Sequence, residues 1–185
     1  MKPVSRAEIV DYQTYSDERE AIREKVLEEK RPRRIHVGPH LTFLFENRTT
    51  VLYQVQEMMR VEQIVKEADI LHELDTYNDL LGAEGELGCS LLIEIDDEEE
   101  RADKLRAWLD LPQHLYAVVD GGERVRFRYD PRQVGDERLS SVQYLKLMTG
   151  GKVPMALGCD HPGYTVETSL TDEQRAALAR DLTAD

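Results

Sequence analysis

Residues 31–66, RPRRIHVGPHLTFLFENRTTVLYQVQEMMRVEQIVK, hold the reading that decides the fold. They lead from a basic start through an alternating apolar segment into a helix with charges on every side. Between 34 and 46 the pattern has period two, with Ile35, Val37, Leu41, Phe43 and Phe45 on one face and His36, His40, Thr42 and Glu46 on the other. That alternation predicts a half-buried strand. Gly38 and Pro39 interrupt it and predict a bulge or an edge position, because proline donates no ladder hydrogen bond. Asn47 then offers an N-cap to a helix over 48–67, and a second helical segment follows over 68–81, closed by Gly82.

Working outward, Ser16 is the expected cap of a helix that carries Asp17 and Glu18 in its first turn, Lys30 and Arg31 in its last, and Pro32 as its stop. On the other side, 87–95 reads as a strand, and the acidic run 96–100 reads as the start of a helix reaching Leu109 rather than as a metal site. Residues 115–119 and 124–129 flank Asp120, Gly121 and Gly122 as a hairpin. Strands over 141–148 and 153–157 follow, and a capping box from Thr171 to Gln174 opens a last helix reaching Leu182. The expected class is therefore α+β, with N-terminal helices packed on a largely antiparallel sheet, in one domain spanning residues 1–185.

A chain of 185 residues with a formal net charge of -13 has room for a real core. Its charge argues against non-specific binding to nucleic acid or to an anionic membrane, both of which rest on lysine and arginine. No stretch is apolar enough to predict a membrane span, and the charged start does not resemble a signal peptide, so a cytoplasmic location is expected. Cys89 and Cys159 have no CxxC or Cys/His ligand spacing around them, and free thiols are expected.

The candidate sites each have two readings. On a helical wheel Glu62 falls among Val51, Val55, Met58, Met59 and Val65, while Tyr53, Glu57, Arg60 and Ile64 form a second stripe. Glu62 with Glu57 or Glu73 would make a carboxylate metal site or a shifted acid/base, and Arg60 would orient an anion. In the alternative reading Glu62 pairs with Arg48, Arg60 or a cation of the 31–34 cluster and only fixes packing, or lies in a homodimer interface.

His36 and His40 stand roughly 13 Å apart on a regular strand at ~3.3 Å per residue. They are too distant to hold one ion unless Gly38 and Pro39 fold the strand back; with Thr42 or Glu46 they would line a pocket, and in the alternative reading they stand on an exposed strand face. Cys159 and His161 in GCDHPGY are a candidate metal or nucleophile pair, or a plain turn. Arg33 and Arg34, and the alternating Arg124, Arg126 and Arg128, are candidate contacts for an anion or an acidic partner. His72 is expected to be exposed. No recognised catalytic or nucleotide-binding motif is present.

The segments GPHLTFLFENRTTVLYQVQEMMRVEQI, HELDTYNDLL and LLIEIDD give the chain a resemblance to the uncharacterised bacterial DUF3501 family. The family supplies no activity, ligand, cofactor or catalytic residue. Its members are encoded beside rubrerythrin-like and iron-sulfur oxidoreductase proteins, so the resemblance implies a link to redox or peroxide defence. Two functions follow as expectations. One is an accessory or binding protein that docks a redox partner through its basic surfaces. The other is an enzyme or metal protein with a site built from Glu57, Arg60, Glu62 and Glu73, joined by His36 or His40.

Overall fold

The alternating run is two strands, where one was expected. In a computed structural model describing residues 1–184, β1 (Arg34–Val37) and β2 (Leu41–Glu46) form an antiparallel hairpin that pairs Ile35 with Phe43 and Val37 with Leu41. This register sets odd positions opposite odd positions, so the inward face keeps its apolar residues on both sides of the turn. Period two therefore could not distinguish one strand from two. Gly38 sits at φ +63°, and a Cβ there would lie 2.5 Å from the Tyr164 hydroxyl oxygen and 2.8 Å from a Val166 methyl.

β2 continues a five-stranded sheet ordered β1-β2-β3-β7-β6, where β3 is Glu86–Ile93, β6 is Arg128–Tyr129 and β7 is Val142–Met148. A four-stranded sheet, β5-β4-β8-β9, contains β4 (Leu115–Val119), β5 (Arg124–Arg126), β8 (Pro154–His161) and β9 (Tyr164–Ser169). All pairings are antiparallel. The expected strand 124–129 divides at Phe127, which is buried in the core, so Arg124 and Arg126 join one sheet and Arg128 the other. The expected strand 153–157 runs on to His161 and returns as β9 through Pro162 and Gly163.

The two sheets share a core in which Phe43, Phe45, Leu91 and Leu145 meet Leu115, Leu157 and Cys159, with Trp108 and Leu178 closing it. A second cluster joins Val4 to Val51, Val55 and Met59 of α2 (Arg48–Glu62) and to Ile70 and Leu74 of α3 (Glu67–Asn78). The chain is thus α+β, as its sequence pattern predicts. α1 (Tyr12–Lys30) is capped by Asp11, which accepts the Gln13 and Thr14 amides. Ser16, the expected cap, lies inside the helix and donates back to the Tyr12 carbonyl. Asn47 caps α2, Asp97 caps α4 (Glu98–Ala107), and Thr171 caps α5 (Asp172–Thr183).

Arg33, expected as an exposed ligand contact, is 2% exposed. Its Nε and Nη2 donate to both carboxylate oxygens of Asp181 on α5 at 2.8 Å, and Nη1 donates to the Glu29 carbonyl at 2.7 Å. A planar guanidinium fits this fork where a lysine would not. The Glu29 carboxylate also lies 2.8 Å from Nη1 but is partly exposed, so removing Asp181 takes away the two-point partner and leaves the buried guanidinium with Glu29 alone. Asp181→Ala is expected to lower stability by about 3–5 kcal/mol, read as a shift of the urea unfolding midpoint.

Candidate functional site

The central helix does not hold the expected site. Glu57 faces α1, where it accepts the Tyr15 hydroxyl at 2.7 Å and a two-point hydrogen bond from Arg19 at 2.8 and 2.9 Å, with Arg60 at 3.3 Å. The Arg19 guanidinium holds the Glu57 carboxyl down at about 2, against the burial that would raise it. Glu62 is exposed and is the last residue of α2, because Gln63 turns the chain at φ 52°. Val65 therefore leaves the helical wheel that placed Glu62 among apolar side chains. Glu62 and the half-buried Glu73 line a shallow groove of about 380 Å³ with Asp69 and the exposed His72. Glu57 lies elsewhere. Among the described residues, no three His, Cys, Asp or Glu side chains converge as metal ligands.

The other candidates are also committed to partners. Arg34 pairs with Glu94, Arg124 with Glu167, and Arg128 with Glu86, so the expected basic surfaces are neutralised one by one. His161 accepts the Gly163 amide at Nδ1 and faces Asp110 through Nε2 at 3.0 Å, so neither ring nitrogen is left for the Cys159 thiol.

Around His161 the tertiary structure assembles a group that sequence reading missed. His114 stands between Asp110 and Asp160, its ring meets that of His161 edge-on at 5.1 Å, and Arg126 grips Asp160 with two hydrogen bonds of 2.8 and 2.7 Å. Arg126 and His114 hold the Asp160 carboxyl down at about 2. Burial pushes Asp110 upward, but its own backbone amide and the two imidazoles outweigh that and lower it. The sequence marked His161, with Asp160 beside it in GCDHPGY, and Arg126 separately, and Asp110 and His114 share a four-residue spacing, but nothing local joins the three pieces. Asp160 and Arg126 arrive from other strands.

The first hairpin gathers the remaining candidates. Folding back at Gly38 brings His36 opposite Thr42, with His36 Nδ1 and the Thr42 hydroxyl oxygen 2.8 Å apart. The fully buried Thr42 donates its hydroxyl hydrogen to Glu94, whose carboxylate accepts only, so the Thr42 oxygen receives the His36 Nδ1–H. The His36 side chain is otherwise exposed. His40 packs against Trp108 and Tyr164, with ring centroids at 5.8 and 5.6 Å, and its carbonyl accepts the Glu94 amide at 2.8 Å. Together His40 and Glu94 border a cleft of about 1040 Å³ between this hairpin and the start of α4, lined also by Asp96, Asp97, Glu100 and Arg101.

Residues 3–182 match the sequence model of a family described as "Protein of unknown function (DUF3501)". The chain belongs to this family. It is also similar to a crystal structure described as a novel protein of unknown function from Burkholderia pseudomallei K96243. The two share 29% sequence identity, the match covers 98% of this chain and 100% of that one, and the TM-score is 0.90. No curated protein matches the chain.

In this DUF3501 protein both thiols are buried, and burial pushes each upward, Cys89 strongly. The thiolate is the reactive form. Ellman's reagent is therefore expected to leave both cysteines untouched in the native protein and to titrate both after denaturation. The low Glu57 carboxyl also carries a pH signature. Its folded value of about 2 lies below its ordinary 4.5, so its contribution to stability is complete above 4.5 and lost as pH falls toward 2. Glu57→Gln should be less stable than the parent at neutral pH, and urea midpoints should converge as pH falls through that window.

Proposed function

We propose that this DUF3501 protein is a cytoplasmic binding protein that takes a cationic ligand in the cleft beside its first hairpin and serves as an accessory to redox proteins. The lining of the cleft carries this reading. Glu94, Asp96, Asp97 and Glu100 border about 1040 Å³ of space beside Arg101. Arg34 already pairs with Glu94 and Lys104 with Glu100, so among the described residues Asp96 and the cap residue Asp97 are the carboxylates without a cation there, and the chain's net charge of -13 adds long-range attraction for a positive ligand.

The redox association rests on the neighbourhood that the family resemblance implies. Buried, upward-shifted thiols favour a role in which a partner carries the electrons. Neutralisation of the arginine clusters favours recognition by carboxylates over docking through free cations.

A second reading is favoured by one observation, the His36–Thr42–Glu94 chain, which holds the imidazole in place at the surface, the arrangement a general acid or base would use. The two readings separate by titration calorimetry at low salt with spermidine as the cationic probe. The binding reading expects an affinity that falls about tenfold, some 1.4 kcal/mol, in the Asp96→Asn, Glu100→Gln double variant and is unchanged in His36→Gln. Absence of binding by the parent protein, or equal binding by the double variant, overturns it.

A further inference from the structure

We infer that the outer edge of β7 is a strand-addition site for an extended segment of a partner protein, and that the side chain of Gln133 occupies it in this structure. This goes beyond the acidic cleft and rests on different residues.

β7 pairs with β3 along its whole length, from Met148 opposite Glu86 to Val142 opposite Leu92. Among the described residues its other edge is paired only with the two residues of β6, at Lys146 and Leu145. In an antiparallel ladder alternate residues direct both backbone groups toward the same neighbour. The Tyr144 amide donates to Gln133 Oε1 at 2.7 Å, and Gln133 Nε2 donates to the Tyr144 carbonyl at 2.9 Å. Tyr144 therefore faces the outer edge, and so do Val142, Lys146 and Met148.

A primary amide offers one donor and one acceptor, as a backbone peptide group does. Gln133 stands where a residue of the next strand would stand. The register identifies that residue, because Arg128 opposite Lys146 and Tyr129 opposite Leu145 would set Asp130 opposite Tyr144. Pro131 instead leads the chain into a single 3-10 turn, Pro131–Gln133, and the glutamine side chain returns to fill the place. The Val142 amide is served the same way, by the Ser140 hydroxyl at 3.2 Å. Side chains thus satisfy the part of the edge that β6 leaves open.

Holding a glutamine in one rotamer costs side-chain entropy, and displacing it returns that entropy toward the cost of ordering an incoming strand. An extended peptide supplies the same two hydrogen bonds and continues the ladder. The surroundings suit its side chains. Val142 and Tyr144 are 37% and 52% exposed beside the open part of the edge. A cavity of about 570 Å³ opens there, with Leu80, Tyr129, Tyr144 and Leu145 as its apolar lining and Asp79, Arg128, Asp130 and Lys146 at its sides. The segment this edge fits is a β-strand with apolar residues at alternate positions.

The probe is a fluorescein-labelled Thr-Val-Thr-Val-Thr-Val peptide, read by anisotropy against the full chain, with a copy N-methylated at alternate residues as control. Gln133→Ala is expected to bind it about tenfold tighter than the parent, the scale of one or two competing hydrogen bonds. The N-methylated copy should not bind. Val142→Pro should weaken binding while leaving β3 pairing intact, because the Val142 amide faces the outer edge.

Hydrogen exchange gives a second readout that needs no ligand. The Tyr144 amide should exchange faster in Gln133→Ala and regain protection when the peptide is added. Equal anisotropy for parent and Gln133→Ala, or binding of the N-methylated copy, overturns the proposal. A Gln133→Ala variant that sediments as a dimer and ignores the peptide also overturns it, because the occupant would then be a second copy of the chain.

Discussion

At Gly38 the backbone turns at φ +63°, and the Tyr164 and Val166 side chains of β9 fill the space that a Cβ would need. One glycine therefore reverses the chain and lets the four-stranded sheet close against the five-stranded one. The Tyr164 hydroxyl fixes the approach, accepting the His40 amide and donating to the Val37 carbonyl, both at 3.2 Å. From this contact the rest of the region follows. His36 meets Thr42, Thr42 reaches Glu94, and His40 settles against Trp108 and Tyr164 at the border of the cleft. Any larger residue at 38 would have to displace two side chains and adopt a strained φ.

The charges of this chain divide into those that hold it together and those left for solvent or ligand. Arg33 joins the start of β1 to α5 through Asp181, and Arg19 joins α1 to α2 through Glu57. Arg126 and His114 secure Asp160 at the end of β8. In each case cations are consumed by carboxylates from distant parts of the sequence. Because acidic residues outnumber basic ones, 37 to 24, the surplus is negative, and some of it collects at the mouth of the cleft.

Much of the fold was legible because its signals are local. Asn47 and Thr171 cap the helices they were expected to cap, and Gly121 and Gly122 make the predicted turn between β4 and β5 at positive φ. The failures share a cause. A wheel drawn through Val65 assumes a helix that Gln63 has already ended, so Glu62 was placed on a face that does not exist at that position. Period two survives a reversal that pairs odd with odd, which hid the β1–β2 hairpin. Phe127 breaks the arginine alternation because two sheets compete for the strands on either side of it.

The sequence by itself determined the α+β class, the principal helices and the free, widely spaced cysteines, because caps, breakers and hydrophobic period act within a few residues. It named His36, His40 and Thr42 as one strand face, of which His40 borders the cleft. Only the tertiary structure decided which charges are spent on one another, since partners such as Arg33 and Asp181 lie 148 positions apart and nothing local selects them. The same holds for Gln133 at the edge of β7. Its amide is an ordinary surface side chain until Pro131 turns the backbone away and leaves Tyr144 with a donor and an acceptor to satisfy.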